Sequence, residues 1–165
     1  MASTRPPEEV TTPAGGSACF LIAAAAGTVH GAFSVYWGLG GDWLLRTVGE
    51  SLVEAFAGIR GVLVLVGLVK IVAAVVPWLS RGWRGPWRGI VRAVSWAGAV
   101  LLILWGGVNT VVGNLVLAGV VVPDSGYDRA GMIGHAWIWD PLFLLWGVAL
   151  LLALLRSRRR RRGIR

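Results

Sequence analysis

A chain of 165 residues that is 56% hydrophobic and only 15% charged falls well short of the roughly 25% charge of soluble domains, which excludes a water-soluble globule and leaves a single domain made for lipid. The net charge of +8 does not signal nucleic acid, because seven of the 16 basic residues lie between Arg156 and Arg165 and four more, Arg81, Arg84, Arg88 and Arg92, surround one connection, with no folded basic surface or aromatic platform beside them. A lone Cys19 rules out an internal disulfide, has no companion for a metal site, and reads as a small buried or lipid-facing thiol.

Residues 1–16, with Pro6, Pro7 and Pro13, are predicted as a disordered tail. Glu8 and Glu9 beside Arg5 make a poor signal-peptide start, so the first apolar stretch is predicted to be retained. Four apolar stretches follow, over 17–39, 57–79, 91–117 and 132–155. A hydrocarbon core of about 30 Å takes about 20 helical residues to cross, so each one is long enough. The predicted fold is all-α: a four-helix transmembrane bundle over 17–155, followed by a basic tail over 156–165.

The boundaries carry their own chemistry. Ser17 can cap the first span, and Gly38, Gly40 and Gly41 can stop it. Leu44, Leu45, Val48, Leu52, Val53 and Phe56 recur at helical spacing opposite Arg46, Glu50 and Glu54. That pattern is either a short amphipathic helix on the outer surface or an extended first turn of span 2. Pro123 and Gly126 punctuate the third loop. Asp140-Pro141 reads as a cap followed by a first-turn Pro. A helix starting there would cover only about 22 Å, so a helix from about Met132, kinked at Pro141, is favoured. The carbonyl of Trp137 then needs a partner.

Loop charge sets the orientation. Asp42, Arg46, Glu50 and Glu54 mark the first loop, and Asp124, Asp128 and Arg129 the third; the Arg clusters mark the second loop and the C-terminal tail. Basic segments stay inside, so both termini are predicted cytoplasmic, in a multi-pass protein of the cell membrane. Arg81, Arg84, Arg88 and the Arg156–Arg165 tail are expected to meet anionic lipid headgroups. Trp37, Trp43, Trp78, Trp83, Trp87, Trp137 and Trp139 fall at interfacial belt positions, whereas Trp105 and Trp146 are expected to pack inside the bundle.

Polar groups inside the spans need an explanation each. The candidates are His30, Tyr36, Arg60, Asn109, Asn114, His135 and Asp140, with Lys70 deeper and without a visible partner. At 1.5 Å per residue, His30 and Asp140 lie about 12–14 Å below the outer surface. Asn109 lies near them, and Tyr36, Arg60, Asn114 and His135 form a layer above. Small residues share the stripes of His30 (Gly27, Gly31, Ser34), Asn109 (Gly106, Gly113) and Asp140 (Ala136, Gly147). These stripes predict that His30, Asn109 and Asp140 face one another. Such groups either tie helices together, at about 0.6 kcal/mol per hydrogen bond, or form a functional pocket. A His–Asp contact would hold imidazolium and carboxylate, or a neutral hydrogen-bonded pair. Arg60 is close enough to the surface to snorkel, or to pair with Glu54 or Asp140.

No phosphate-binding Gly loop, HExxH, Cys/His ligand set or Ser-centred nucleophile motif is present, so no cofactor, metal site or catalytic residue is expected. His30 followed by Tyr36-Trp37-Gly38-Leu39-Gly40-Gly41, together with Trp139-Asp140-Pro141-Leu142, resembles a bacterial domain-of-unknown-function family of small four-span membrane proteins. The resemblance covers most of the chain outside its two tails and implies a four-helix membrane domain; it carries no activity over. Three functional expectations remain. The first is a non-enzymatic accessory or structural membrane component, with a homo-oligomer or membrane-protein partner. The second is a small-solute or proton pathway through His30, Asp140 and Asn109. The third is a membrane-embedded enzyme on a lipid-like substrate.

Overall fold

The computed structural model describes residues 15–162, with side chains placed for 16–158. Helix α1 spans Gly15–Gly38 and ends in a Schellman turn. Gly41 N–H donates to Tyr36 O at 2.9 Å and Gly40 N–H to Trp37 O at 3.1 Å, with Gly40 at φ +99, a conformation that favours glycine. A 3-10 turn, Leu45–Val48, and a short helix α2, Glu50–Phe56, follow. Helix α3 is Gly61–Leu79 and α4 is Pro86–Leu117, with Pro at its first turn. Helix α5, Arg129–Gly134, starts at Asp128, whose side chain accepts Ala130 N–H. It runs without a break through a π-helical turn, His135–Trp139, into α6, Asp140–Arg162.

Four of these helical segments are long and apolar enough to cross a membrane, and no strand occurs among the described residues. The protein is therefore an all-α, multi-pass helical bundle of the membrane-spanning type. Span 2 begins at Gly61 rather than 57, because residues 57–60 turn between the surface helix α2 and α3.

The helices form an open arc. Helix α1 packs on α3 and α6, and α6 packs on α4, while α3 and α4 barely touch. Lipid offers no hydrophobic drive to helix pairing, so close packing of small residues must supply it. A Cβ on Gly31 would sit 2.7 Å from Gly67 O, and one on Gly27 2.5 Å from Ala74 Cβ. Across α4 and α6, Gly106 abuts the Asp140 carbonyl and Gly113 the Cβ of Ala136. The end of the bundle that holds the described chain ends is a dry core of Cys19, Phe20, Ala23, Ala99, Trp146, Ala149, Ala153 and Leu154. The opposite, far half holds His30, Lys70, His135 and Asp140.

The Trp residues divide differently from the belt pattern. Trp37 and Trp139 are buried because their indole N–H groups hold the 3-10 turn: Trp37 Nε1 donates to Trp43 O at 2.9 Å and Trp139 Nε1 to Thr47 Oγ1 at 3.0 Å. Trp146 is in the core, but Trp105 is 65% exposed, since it lies on the α4 face that looks into the α3–α4 gap rather than onto α6. The surface turn is tied down further by Asp128. Its carboxylate accepts Glu50 N–H at 3.0 Å and Ala130 N–H at 2.9 Å, and these backbone donors hold its pKa below the ordinary carboxylate value.

The α1–α3 seam predicts a sharp contrast between two glycines. Gly67→Ala puts a Cβ 2.5 Å from Gly31 O and 2.8 Å from Val35 N, both rigid backbone, and is expected to destabilise by about 1–3 kcal/mol. Gly98→Ala meets nothing within 4 Å and is expected to be neutral or to stabilise by up to about 1 kcal/mol. Thermal unfolding in detergent distinguishes them, and equal effects would refute backbone contact at this seam.

Candidate functional site

Two polar centres stand on either side of one cavity at the far end. The first is built on α1 and α3. Gly67 and Ala74 pack against Gly31 and Gly27, and Lys70 lies between them on the same face of α3. Its ammonium is therefore delivered to the next polar group on the α1 stripe. Lys70 Nζ donates to Ser34 Oγ at 3.1 Å and lies 3.3 Å from His30 Nδ1. An ammonium can only donate, so Nδ1 accepts and His30 carries its own proton on Nε2. That nitrogen is buried without a partner among the described residues. The imidazole stacks on Phe143 at 3.9 Å between ring centroids. Two of the three ammonium protons are thus engaged by neutral groups, and the ammonium also lies over the Phe143 ring, 5.5 Å from its centroid.

The second centre is built on the π turn. In an α-helix five residues advance about 500°, which would leave His135 and Asp140 about 140° apart. The wider turn, with Asp140 N–H donating to His135 O, brings both side chains to one face. His135 Nδ1 lies 2.9 Å from Asp140 Oδ2, and Nε2 lies 3.1 Å from Val48 O. A carbonyl only accepts, so Nε2 carries a proton. The contact at Nδ1 is then either imidazolium with carboxylate, or neutral imidazole accepting from the carboxylic acid. Both forms leave the pair neutral overall, which suits an Asp140 that is 1% exposed.

Between the centres lies a cavity of about 260 Å³. Trp37, Trp139 and Phe143 wall it from α1 and α6, Leu63 and Val66 from α3, Trp105 from α4, and Leu45, Val48, Leu52, Val53 and Phe56 roof it. The helices α3 and α4 that supply these walls barely touch, so the cavity borders the gap between them. Arg60, exposed at the start of α3, stands on the rim.

The polar residues that the sequence groups together are separated into these parts. His30 and Asp140 line the same cavity, but His30 bonds to Lys70 and Asp140 to His135; the π turn and the α1–α3 glycine seam override the simple helical facing. Asn109 lines a wider, more open cleft of about 800 Å³ with Glu50, Glu54 and Asp128, on the other side of His135 and Asp140. Asn114 Nδ2 donates to Thr110 O at 2.7 Å and reaches Ala136 O at 3.5 Å. In the π register Ala136, not Trp137, is the carbonyl that Pro141 cannot serve, so Asn114 partly fills that gap. Tyr36 is exposed, with its hydroxyl 3.4 Å from Trp43 N. Sequence periodicity missed Ser34 as a Lys70 partner and Phe143 as a wall, although the matching Gly27/Gly31 and Gly67/Ala74 stripes contain the first. Among the described residues no three His, Cys, Asp or Glu side chains converge as metal ligands would.

A family model described as a protein of unknown function (DUF3995) matches residues 27–150, about three quarters of the chain, and the chain belongs to that family. No curated protein and no solved structure matches.

Removing one partner of the buried pair exposes its worth. His135→Ala strands Asp140 and frees Val48, and is expected to cost about 3 kcal/mol, the low end for a buried pair because His135 is 38% open. Amide exchange over residues 45–56 should quicken first. The double variant His135→Ala/Asp140→Leu should recover most of the stability; a double variant as unstable as the single one would contradict the pairing argument.

Proposed function

We propose that this family member is a non-catalytic integral protein of the bacterial cell membrane. It binds a small apolar molecule that carries an oxygen acceptor, taken in sideways through the α3–α4 gap. One observation carries the reading: an aromatic-walled cavity bordering that gap has at its base a Lys70 ammonium whose partners, His30 and Ser34, are both neutral. A half-buried cation among neutral groups favours an oxygen acceptor, and a ligand carbonyl or carboxylate supplies one. The volume of about 260 Å³ suits a ring or a short run of methylenes, and the rest of the molecule stays in the gap among Val66, Leu63 and Trp105. The His135–Asp140 pair closes the far side, so a proton or polar group passing towards the open cleft meets that pair first. No covalent step is assigned to these residues.

Orientation follows from charge. The second loop and the tail beyond Arg156 lie on the cytoplasmic side, and the cap formed by residues 45–56 lies outside. A fluorescent-protein fusion at the C-terminus is expected to be bright and an alkaline phosphatase fusion there inactive; the reverse pattern overturns the assignment.

Binding is tested by purifying the protein in mild detergent, identifying what comes with it by native mass spectrometry, and titrating palmitate and a short-chain benzoquinone by tryptophan quenching. Lys70→Met keeps the length of the side chain and removes the donor. A charge-assisted hydrogen bond is worth about 1.5–3 kcal/mol, so affinity should fall about 10- to 100-fold. Unchanged affinity, or no saturable binding by the wild type, overturns the proposal.

A further inference from the structure

At the end of the bundle opposite this cavity, the ends of all four spans surround a second one, of about 460 Å³. Ser17 of α1, Arg81 after α3, Arg88 and Arg92 of α4, and Arg156 and Ser157 of α6 contribute to its wall, and among the described residues no carboxylate does. These guanidinium groups come from three separate stretches of sequence. Retention of basic segments on one side of a membrane explains why they share an end; it does not explain why they converge. Arg84, in the same loop, is exposed and lies outside the cavity wall.

The arginines are also held in place. Arg81 Nε donates to Trp78 O at 2.8 Å and Nη1 to Ser17 Oγ at 2.6 Å, and the guanidinium lies over the rings of Phe20 and Trp78. Arg92 donates to Ser157 Oγ at 2.9 Å and Leu154 O at 3.3 Å. Arg88 Nη1 reaches Trp83 O at 3.3 Å. For Arg81 and Arg88 these partners are all neutral, so the forks are positioned while no described residue compensates their charge. Fixed, planar, five-donor groups that converge from three segments suit an anion whose oxygens point in several directions, such as phosphate, better than a flat carboxylate. Phe20, Pro77, Val91 and Leu154 give the wall apolar surface beside the buried Ser80 and Ser95, which an acyl chain below a headgroup can lie against.

We infer that this cavity is a binding site for a phosphate group, carried either by an anionic phospholipid at the bilayer edge or by a soluble phosphate compound. The inference is independent of the Lys70 cavity. Its test uses the full chain in a neutral maltoside detergent, probed with dioleoylphosphatidylglycerol, dioleoylphosphatidylcholine and inorganic pyrophosphate, with bound molecules counted by native mass spectrometry. The wild type is expected to hold one phosphatidylglycerol at least tenfold more tightly than phosphatidylcholine. Arg81→Gln/Arg88→Gln should lose at least tenfold, and Arg84→Gln should match the wild type. Saturable pyrophosphate binding with no preference between the two lipids, lost in the same double variant, assigns the site to a soluble phosphate compound instead. If the double variant loses its helical circular dichroism, Arg81→Lys/Arg88→Lys keeps the charge without the forks and should bind several-fold more weakly. Equal loss in Arg84→Gln, wild-type binding by the lysine variant, or binding of neither probe overturns the inference.

Discussion

A carboxyl group buried to 1% exposure in a bundle that lipid surrounds has to be neutralised where it stands, and the far half of this protein is arranged around that requirement. Asp140 is reached by His135 only because the helix widens into a π turn just before Pro141. The same turn aims Trp139 at Thr47 and His135 at Val48. Two of the donors that hold the surface segment between α1 and α3 therefore depend on one irregular stretch of helix. π turns inside α-helices often mark functional sites. Here the turn satisfies the charge, absorbs the proline and places two cavity walls.

The other half obeys a different constraint. Small residues let α1 approach α3 and α6, and let α6 approach α4, but no such stripe joins α3 to α4. Leu63, Val66 and Lys70 of α3 and Trp105 of α4 line the space left between them. An arc with one unsealed gap results. The polar groups that border this gap, His30 and Lys70 among them, are ones that stand out against the apolar composition of the spans.

Much of this was readable beforehand. Span number, the boundaries set by Gly38 to Gly41 and the inward turn of His30 and Asp140 follow from periodicity and from the cost of polar groups in lipid. The partners do not. A π turn has no residue signature beyond the proline that follows it, so a straight 3.6-residue helix places His135 and Asp140 on different faces and offers Asp140 to His30 instead. Trp37 and Trp139 resemble interfacial anchors until the chain reverses over them and covers their rings. Trp105 is the opposite case: its central position in α4 suggests packing, but packing requires a neighbour, and α3 stays away. Lys70 was legible in principle, since matching its glycine and alanine stripe with that of α1 leaves His30 and Ser34 as the groups within reach.

The arc also orders how the protein comes together. Helix α1 is made before both of its neighbours, yet one of them, α6, follows every other described helix, and Gly27 of α1 has no Trp146 ring to lie against until α6 has emerged. During that interval one flank of α1 can rest on α3, while the flank meant for α6 is bare to acyl chains or to the insertion machinery. The glycines that permit the final contact are therefore also the bare notches through which a half-made chain is open to wrong neighbours.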